Sequence, residues 1–207
     1  MIEWLGSVVS NCTGLTGFSL DVLVSFITTV VITLSVIIIG ALINKLEQWQ
    51  LRLMSDKVGM KIASFMCNRF TFVGTVIHEL SHALFVMLTG GKILKIKCFE
   101  MFTHGRLGYV NFATCGPKWK QLVQMSLVSC APVLMGIILE VVLLKVVFTY
   151  ELQLWIQILL WYLVISIFDH MSMSTVDIKN YCKGLVLVFP MMMGLILFVK
   201  YFLMTPQ

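Results

Sequence analysis

His78, Glu79 and His82 stand in the order His-Glu-Leu-Ser-His within GTVIHELSHALFVMLTG, residues 74–90. On a helix, residues four apart sit about 40° from one another around the axis, so both imidazoles can offer a nitrogen to one ion while the glutamate projects beside them. This is a zinc half-site with a base attached. Catalytic zinc takes three protein ligands and leaves a fourth position to water, whose pKa falls to about 7, and a nearby carboxylate can take the proton as that water attacks a carbonyl. Glu79 suits that role. The run around the three residues is apolar, and an unpaired polar side chain in such a helix costs about 2–3 kcal/mol or more, so three together call for a bound ion.

A third ligand must come from elsewhere, and the chain holds only ten acidic residues and four histidines. Glu3, Asp21, Glu47, Asp56 and Glu151 lie in connectors or at the ends of apolar runs, where solvation explains them, and Glu100 lies in a candidate hairpin. The stretch SIFDHMSMSTVDIKN, by contrast, carries Asp169, His170 and Asp177 close together. Any of the three can complete the site. Glu140, inside another apolar run, can relay protons or pair with Lys145 or Arg69.

The elements that must position these residues belong to a membrane. A chain of 207 residues that is 59% hydrophobic and 12% charged is not an ordinary soluble domain. With about 20 apolar residues needed per crossing, five windows qualify: about 22–44, 62–88, 121–148, 152–168 and 181–203. The expected architecture is an all-α transmembrane bundle of about five spans, one integral membrane domain over 1–207. The mildly apolar residues 1–20 can lie in the interface. No Lys or Arg precedes the first apolar run, so no cleavable signal is expected. Asn44–Lys61 places Leu46, Trp49, Leu53 and Met54 at helical spacing and reads as an amphipathic connector on the membrane surface. After Gly90-Gly91, ILKIKCFEMF, THGRLG and GYVNFAT read as a β-hairpin over about 93–114. Six scattered cysteines without a CxxC pair suggest neither a disulfide framework nor a thiolate metal site. A net charge of +5 fits basic residues at membrane faces, and no polar domain exists to bind nucleic acid.

Alternation of five spans puts the C-terminal ends of the second and fourth on one side, so HELSH and the 169–177 stretch lie at similar depth. Here the chain resembles the site-2 protease family of intramembrane zinc metalloproteases. Members carry HExxH in one transmembrane helix and, roughly 90 residues later, an Asn-x-x-Pro-x-x-x-Leu-Asp-Gly type motif whose aspartate is the third ligand. In this chain Asp177 follows His82 by 95 positions, with Asp169 at the asparagine, Ser172 at the proline and Val176 at the leucine; Ile178 replaces the glycine. The resemblance implies zinc held by His78, His82 and Asp177, with Asp169 as an alternative ligand or as an acceptor behind a ligand histidine. It also implies a β-element after the HExxH helix that takes the substrate as an added strand, and it covers Ser129-Cys130-Ala131-Pro132, similar to a small-Pro motif near the family's active site.

The function so implied is hydrolysis of peptide bonds in or beside transmembrane segments of membrane protein substrates, with Glu79 activating water. The basic residues divide eight to seven between the two sides and set no orientation. The family's usual arrangement gives a multi-pass protein whose site opens to the cytosol, and the small size and lack of regulatory domains point to a bacterial cell membrane. The alternative is a non-enzymatic membrane protein, derived from such a protease, that binds metal or partners; a pure binding site has no use for a glutamate placed as a base. Substrate identity and oligomeric state are not written in the sequence.

Overall fold

The computed structural model describes residues 2–99 and 108–203. Its elements are α1 (Ile2–Thr13), α2 (Gly17–Val58), α3 (Met60–Ser64) continuing into a π-helical turn (Phe65–Phe70), α4 (Phe72–Leu88), β1 (Lys92–Lys97), β2 (Tyr109–Ala113), α5 (Lys118–Thr149), α6 (Leu154–His170) and α7 (Thr175–Leu203). The molecule is therefore largely helical with one small antiparallel sheet. Among the described residues three helices, α2, α5 and α7, are long and apolar enough to cross a membrane, and the pair Met60–Cys67 and Phe72–Leu88 makes a fourth if counted as one broken span; α6 is apolar but has 17 residues.

Helix α2 runs for 42 residues, about 63 Å, roughly twice the hydrocarbon thickness of a bilayer. The connector expected at Asn44–Lys61 is, as far as Val58, the end of this same helix. From Asn44 to Val58 the residues include many good helix formers and neither Gly nor Pro, so nothing stops the helix before Gly59, whose φ is 81°. The buried stripe of α2 includes Ser25, Thr28, Thr29, Thr33 and Gly40. Its threonine hydroxyls donate back to carbonyls four residues earlier, Thr28 to Val24 and Thr29 to Ser25, so small polar side chains pack without needing water.

The helix carrying HELSH does not begin straight. The axes of Met60–Cys67 and Phe72–Leu88 differ by 55° across the π-helical turn. A wider turn leaves carbonyls without their usual donors, and α6 supplies them: Tyr162 donates to the Phe70 carbonyl at 2.8 Å and Ser166 Oγ to the Thr71 carbonyl at 2.8 Å. Ser166 Oγ also accepts from the Gly74 N–H at 2.8 Å. Helices α4 and α6 touch here so closely that a Cβ on Gly74 would collide with the Ser166 carbonyl.

Between α6 and α7 the chain is non-helical over residues 171–174, yet Met171, Ser172 and Met173 are buried. Irregular backbone at such depth survives only inside protein that satisfies it. The Met173 N–H donates to the Gly40 carbonyl of α2 at 3.2 Å, and its side chain fills the notch that Gly40 leaves. Met173 then joins Val36, Cys130, Val133 and Tyr181 in the core, tying α2, α5 and α7 around the α6–α7 junction.

The expected hairpin has its two strands, and residues 100–107 of the stretch joining them, Glu100 among them, lie outside the described residues. Gln124 of α5, 1% exposed, ties the hairpin to α4: its Nε2 donates to the Thr89 carbonyl at 2.7 Å and its Oε1 accepts from the Cys115 N–H at 2.9 Å.

Candidate metal centre

Helix α4 presents His78 and His82 one turn apart, with ring centroids 4.8 Å from each other. Each ring is oriented by a backbone carbonyl that its own helix cannot satisfy. His82 Nδ1 donates to the Val128 carbonyl at 2.8 Å. Val128 lies four residues before Pro132 in α5, and proline has no N–H to give back to that carbonyl. His78 Nδ1 donates to the His170 carbonyl at 2.6 Å, and His170 is the last residue of α6, where carbonyls lack helical donors.

These bonds fix the tautomers. A carbonyl only accepts, so each Nδ1 carries the hydrogen and each Nε2 presents a lone pair. The two Nε2 atoms lie 3.2 Å apart. Two facing lone pairs at that distance repel unless a cation lies against both. Zinc bonded tetrahedrally to two imidazoles at 2.0–2.1 Å would hold their nitrogens roughly 3.3 Å apart. Asp177 joins them: one ligand atom from each of His78, His82 and Asp177 lies within 4.8 Å of the others. The donor set, two imidazoles and a carboxylate, thus fits zinc in its chemistry, and the two imidazole nitrogens also in their spacing.

Asp177 is held by its place at the start of α7. Ser174 precedes the helix, and its Oγ accepts from the Asp177 N–H at 3.1 Å. In return Asp177 Oδ2 accepts from the Ser174 N–H at 3.1 Å and from its hydroxyl at 2.5 Å. This reciprocal capping box occupies Oδ2 and leaves Oδ1 for a ligand. The spacing S-x-x-D was visible in the sequence and marks the helix start that makes the carboxylate rigid.

The other candidates stand apart. The Asp169 side chain bonds to Gln50 of α2 and is not in the cluster; the acceptors behind His78 and His82 are main-chain carbonyls instead. His170 contributes its carbonyl, while its own Nδ1 bonds to the Ser166 carbonyl at 3.0 Å. Glu140 is buried, its Oε1 has no hydrogen-bond partner, and among the described residues it forms no ion pair with Lys145 or Arg69.

Two clefts meet at the cluster. One, of about 240 Å³, is lined by Asn44, Glu47, Thr75, His170 and Ser172 and reaches His78 and Glu79 from the α2 side. The other, of about 400 Å³, reaches His82 and Asp177 and is walled by β2 through Tyr109, Val110 and Phe112. Glu79 borders both and is 9% exposed. Gly108 packs on it so closely that a Cβ there would come within 2.8 Å of Glu79 Cγ. Ser129, the first residue of the Ser129-Cys130-Ala131-Pro132 stretch, also lines the larger cleft, as does Asn180, which the sequence reading missed. Asn180 follows Asp177 by three residues, the spacing of one helix face, and that signal would have found it.

Pro132→Ala tests the orienting role of the proline. An alanine N–H competes with His82 for the Val128 carbonyl, so zinc affinity should fall by about 10–100-fold while the helix itself is not weakened. Competition against a chromophoric chelator measures this, and an unchanged affinity contradicts it.

No family model, curated protein or solved structure matches the chain.

Proposed function

We propose that this protein is an intramembrane zinc metalloendopeptidase of the site-2 protease type, acting on peptide bonds in or beside transmembrane segments. The observation that carries the reading is the meeting of His78, His82 and Asp177 next to Glu79, with the two Nε2 atoms 3.2 Å apart. Zinc bound there would polarise the scissile carbonyl and make water acidic enough to attack near neutral pH. His78, His82 and Asp177 would hold it. Glu79 accepts the proton of the attacking water and returns it to the nitrogen of the leaving amine, so the peptide bond breaks with no net proton change. A substrate must be extended for its carbonyl to approach, and β2 borders the larger cleft with main-chain groups that can pair with an added strand. Asn180 and Ser129 offer side-chain donors within the same cleft.

In this reading α2, the bent α3–α4 unit, α5, α6 and α7 form five crossings, and the cleft opens to the cytosol, as the family resemblance implies. Metal removal tests the function. Dialysis against a zinc chelator should abolish cleavage of a single-span membrane peptide, and one equivalent of zinc should restore it. Full cleavage by verified metal-free protein would refute the reading. Zinc binding without cleavage of any membrane peptide would favour a metal-binding protein without catalysis.

A further inference from the structure

The two clefts that meet at Glu79 differ in what lines them. Val110 and Phe112 of β2 line the larger one together with Val128 and Val176. The sheet register shifts between Ile93 and Lys95, where Leu94 is the extra residue of a bulge, so Ile93, Ile96, Val110 and Phe112 share one apolar face. Such a wall suits the apolar side chains of an extended peptide. Among the described residues, every one lining the smaller cleft is polar or glycine, with Asn44 and Glu47 on the α2 side and Ser172 facing them.

Two buried side chains of the smaller cleft lack the partners that similar residues find elsewhere in the chain. Thr28, Thr33, Thr71 and Thr89 each donate the hydroxyl hydrogen to the carbonyl four residues back. For Thr75 that carbonyl belongs to Thr71, and it already accepts from Ser166 Oγ at 2.8 Å and from the Gly74 N–H at 3.1 Å, one for each lone pair. Thr75 is 5% exposed, and its hydroxyl is left with no partner among the described residues. His170 is 8% exposed; its Nδ1 donates to the Ser166 carbonyl at 3.0 Å, so Nε2 keeps a lone pair that no donor in the described residues meets. Buried polar atoms without a protein partner are characteristically satisfied by ordered water. A cleft of about 240 Å³ has room for several waters at about 30 Å³ each, and Glu79 borders it.

We infer that Thr75 and His170 hold a water beside Glu79, and that the α2-side cleft resupplies the site with water while a peptide fills the larger cleft. The water donates one hydrogen to His170 Nε2 and accepts from the Thr75 hydroxyl, which leaves its other hydrogen for Glu79 or for the next water in the cleft. Each peptide bond cut consumes one water, whose oxygen enters the new carboxyl group, and a peptide lying along β2 closes the larger route by which the next could arrive. This rests on the proposed peptidase function and adds two positioning residues to it.

Hydroxyl-radical footprinting by X-ray radiolysis, read residue by residue with mass spectrometry, labels side chains that touch bound water even where they are buried. In full-length Glu79→Gln protein His170 should be labelled despite its burial. Saturation with a single-span membrane peptide should protect Tyr109 and Phe112 and leave His170 labelled. Thr75→Val keeps the shape and removes the hydroxyl. It should lower the labelling of His170 and, with Glu79 intact, reduce kcat about tenfold, the worth of roughly one hydrogen bond, at unchanged KM and zinc content. Thr75→Ser should restore both. Absence of label at His170, its loss on peptide binding, or normal labelling and kcat in Thr75→Val would each overturn the inference. Failure of the native protein to cleave any peptide would strike the proposed function alone, because the labelling of His170 is read without hydrolysis.

Discussion

Glu79→Gln should end peptide hydrolysis while the protein keeps its zinc. The amide has nearly the same shape, so it fills the same space beneath Gly108 and leaves α4 intact. It cannot accept a proton from water. Loss of a positioned general base costs about 10²–10⁴ in rate, and the loss should fall on kcat with KM little changed, because no substrate contact is removed. Zinc content per chain, measured on the same preparation, should equal that of the unmodified protein. Undiminished cleavage by Glu79→Gln would take the base away from this residue, whereas joint loss of zinc and activity would make Glu79 a ligand.

Asp177→Asn should weaken zinc binding by more than about 100-fold, beyond the effect of disturbing a residue that merely orients a ligand. Asparagine removes the negative charge but keeps an oxygen that can accept from the Ser174 N–H, so the start of α7 should survive. A thermal midpoint close to the original, together with lost metal, would separate the ligand role from the capping role. Asp169→Asn is the internal control. Its carboxylate is engaged with Gln50, so zinc affinity should not move. The reverse result, metal lost with Asp169→Asn and kept with Asp177→Asn, would assign the third ligand to the wrong helix.

The two histidines and the glutamate were legible because a helical period places residues 78 and 82 on one face whatever the tertiary fold. Asp177 required topology and a resemblance, since nothing local marks an aspartate as a ligand. What escaped the sequence reading were relations between elements. Pro132 reads equally well as a kink; only with α4 packed against α5 does its missing N–H become the reason that the Val128 carbonyl is available to His82. The 55° bend before Phe72 falls in an apolar run that looks continuous, and its stability comes from Tyr162 and Ser166, distant in sequence. The end of α2 looked like a separate element because its residues turn polar, but charge changes the solvent a helix prefers and does not break it. The bulge at Leu94 was invisible for the opposite reason, since a one-residue slip leaves composition untouched while reversing which side chains share a face.

The central claim is that one zinc ion is shared between α4 and the start of α7. X-ray absorption at the zinc edge, on full-length protein purified without added metal, tests it most directly. One zinc per chain is predicted, with two imidazole nitrogens and carboxylate oxygen at about 2.0–2.2 Å, lost in both His78→Ala and His82→Ala. Zinc bound through sulfur at about 2.3 Å, or a zinc content indifferent to both histidines, would contradict the account.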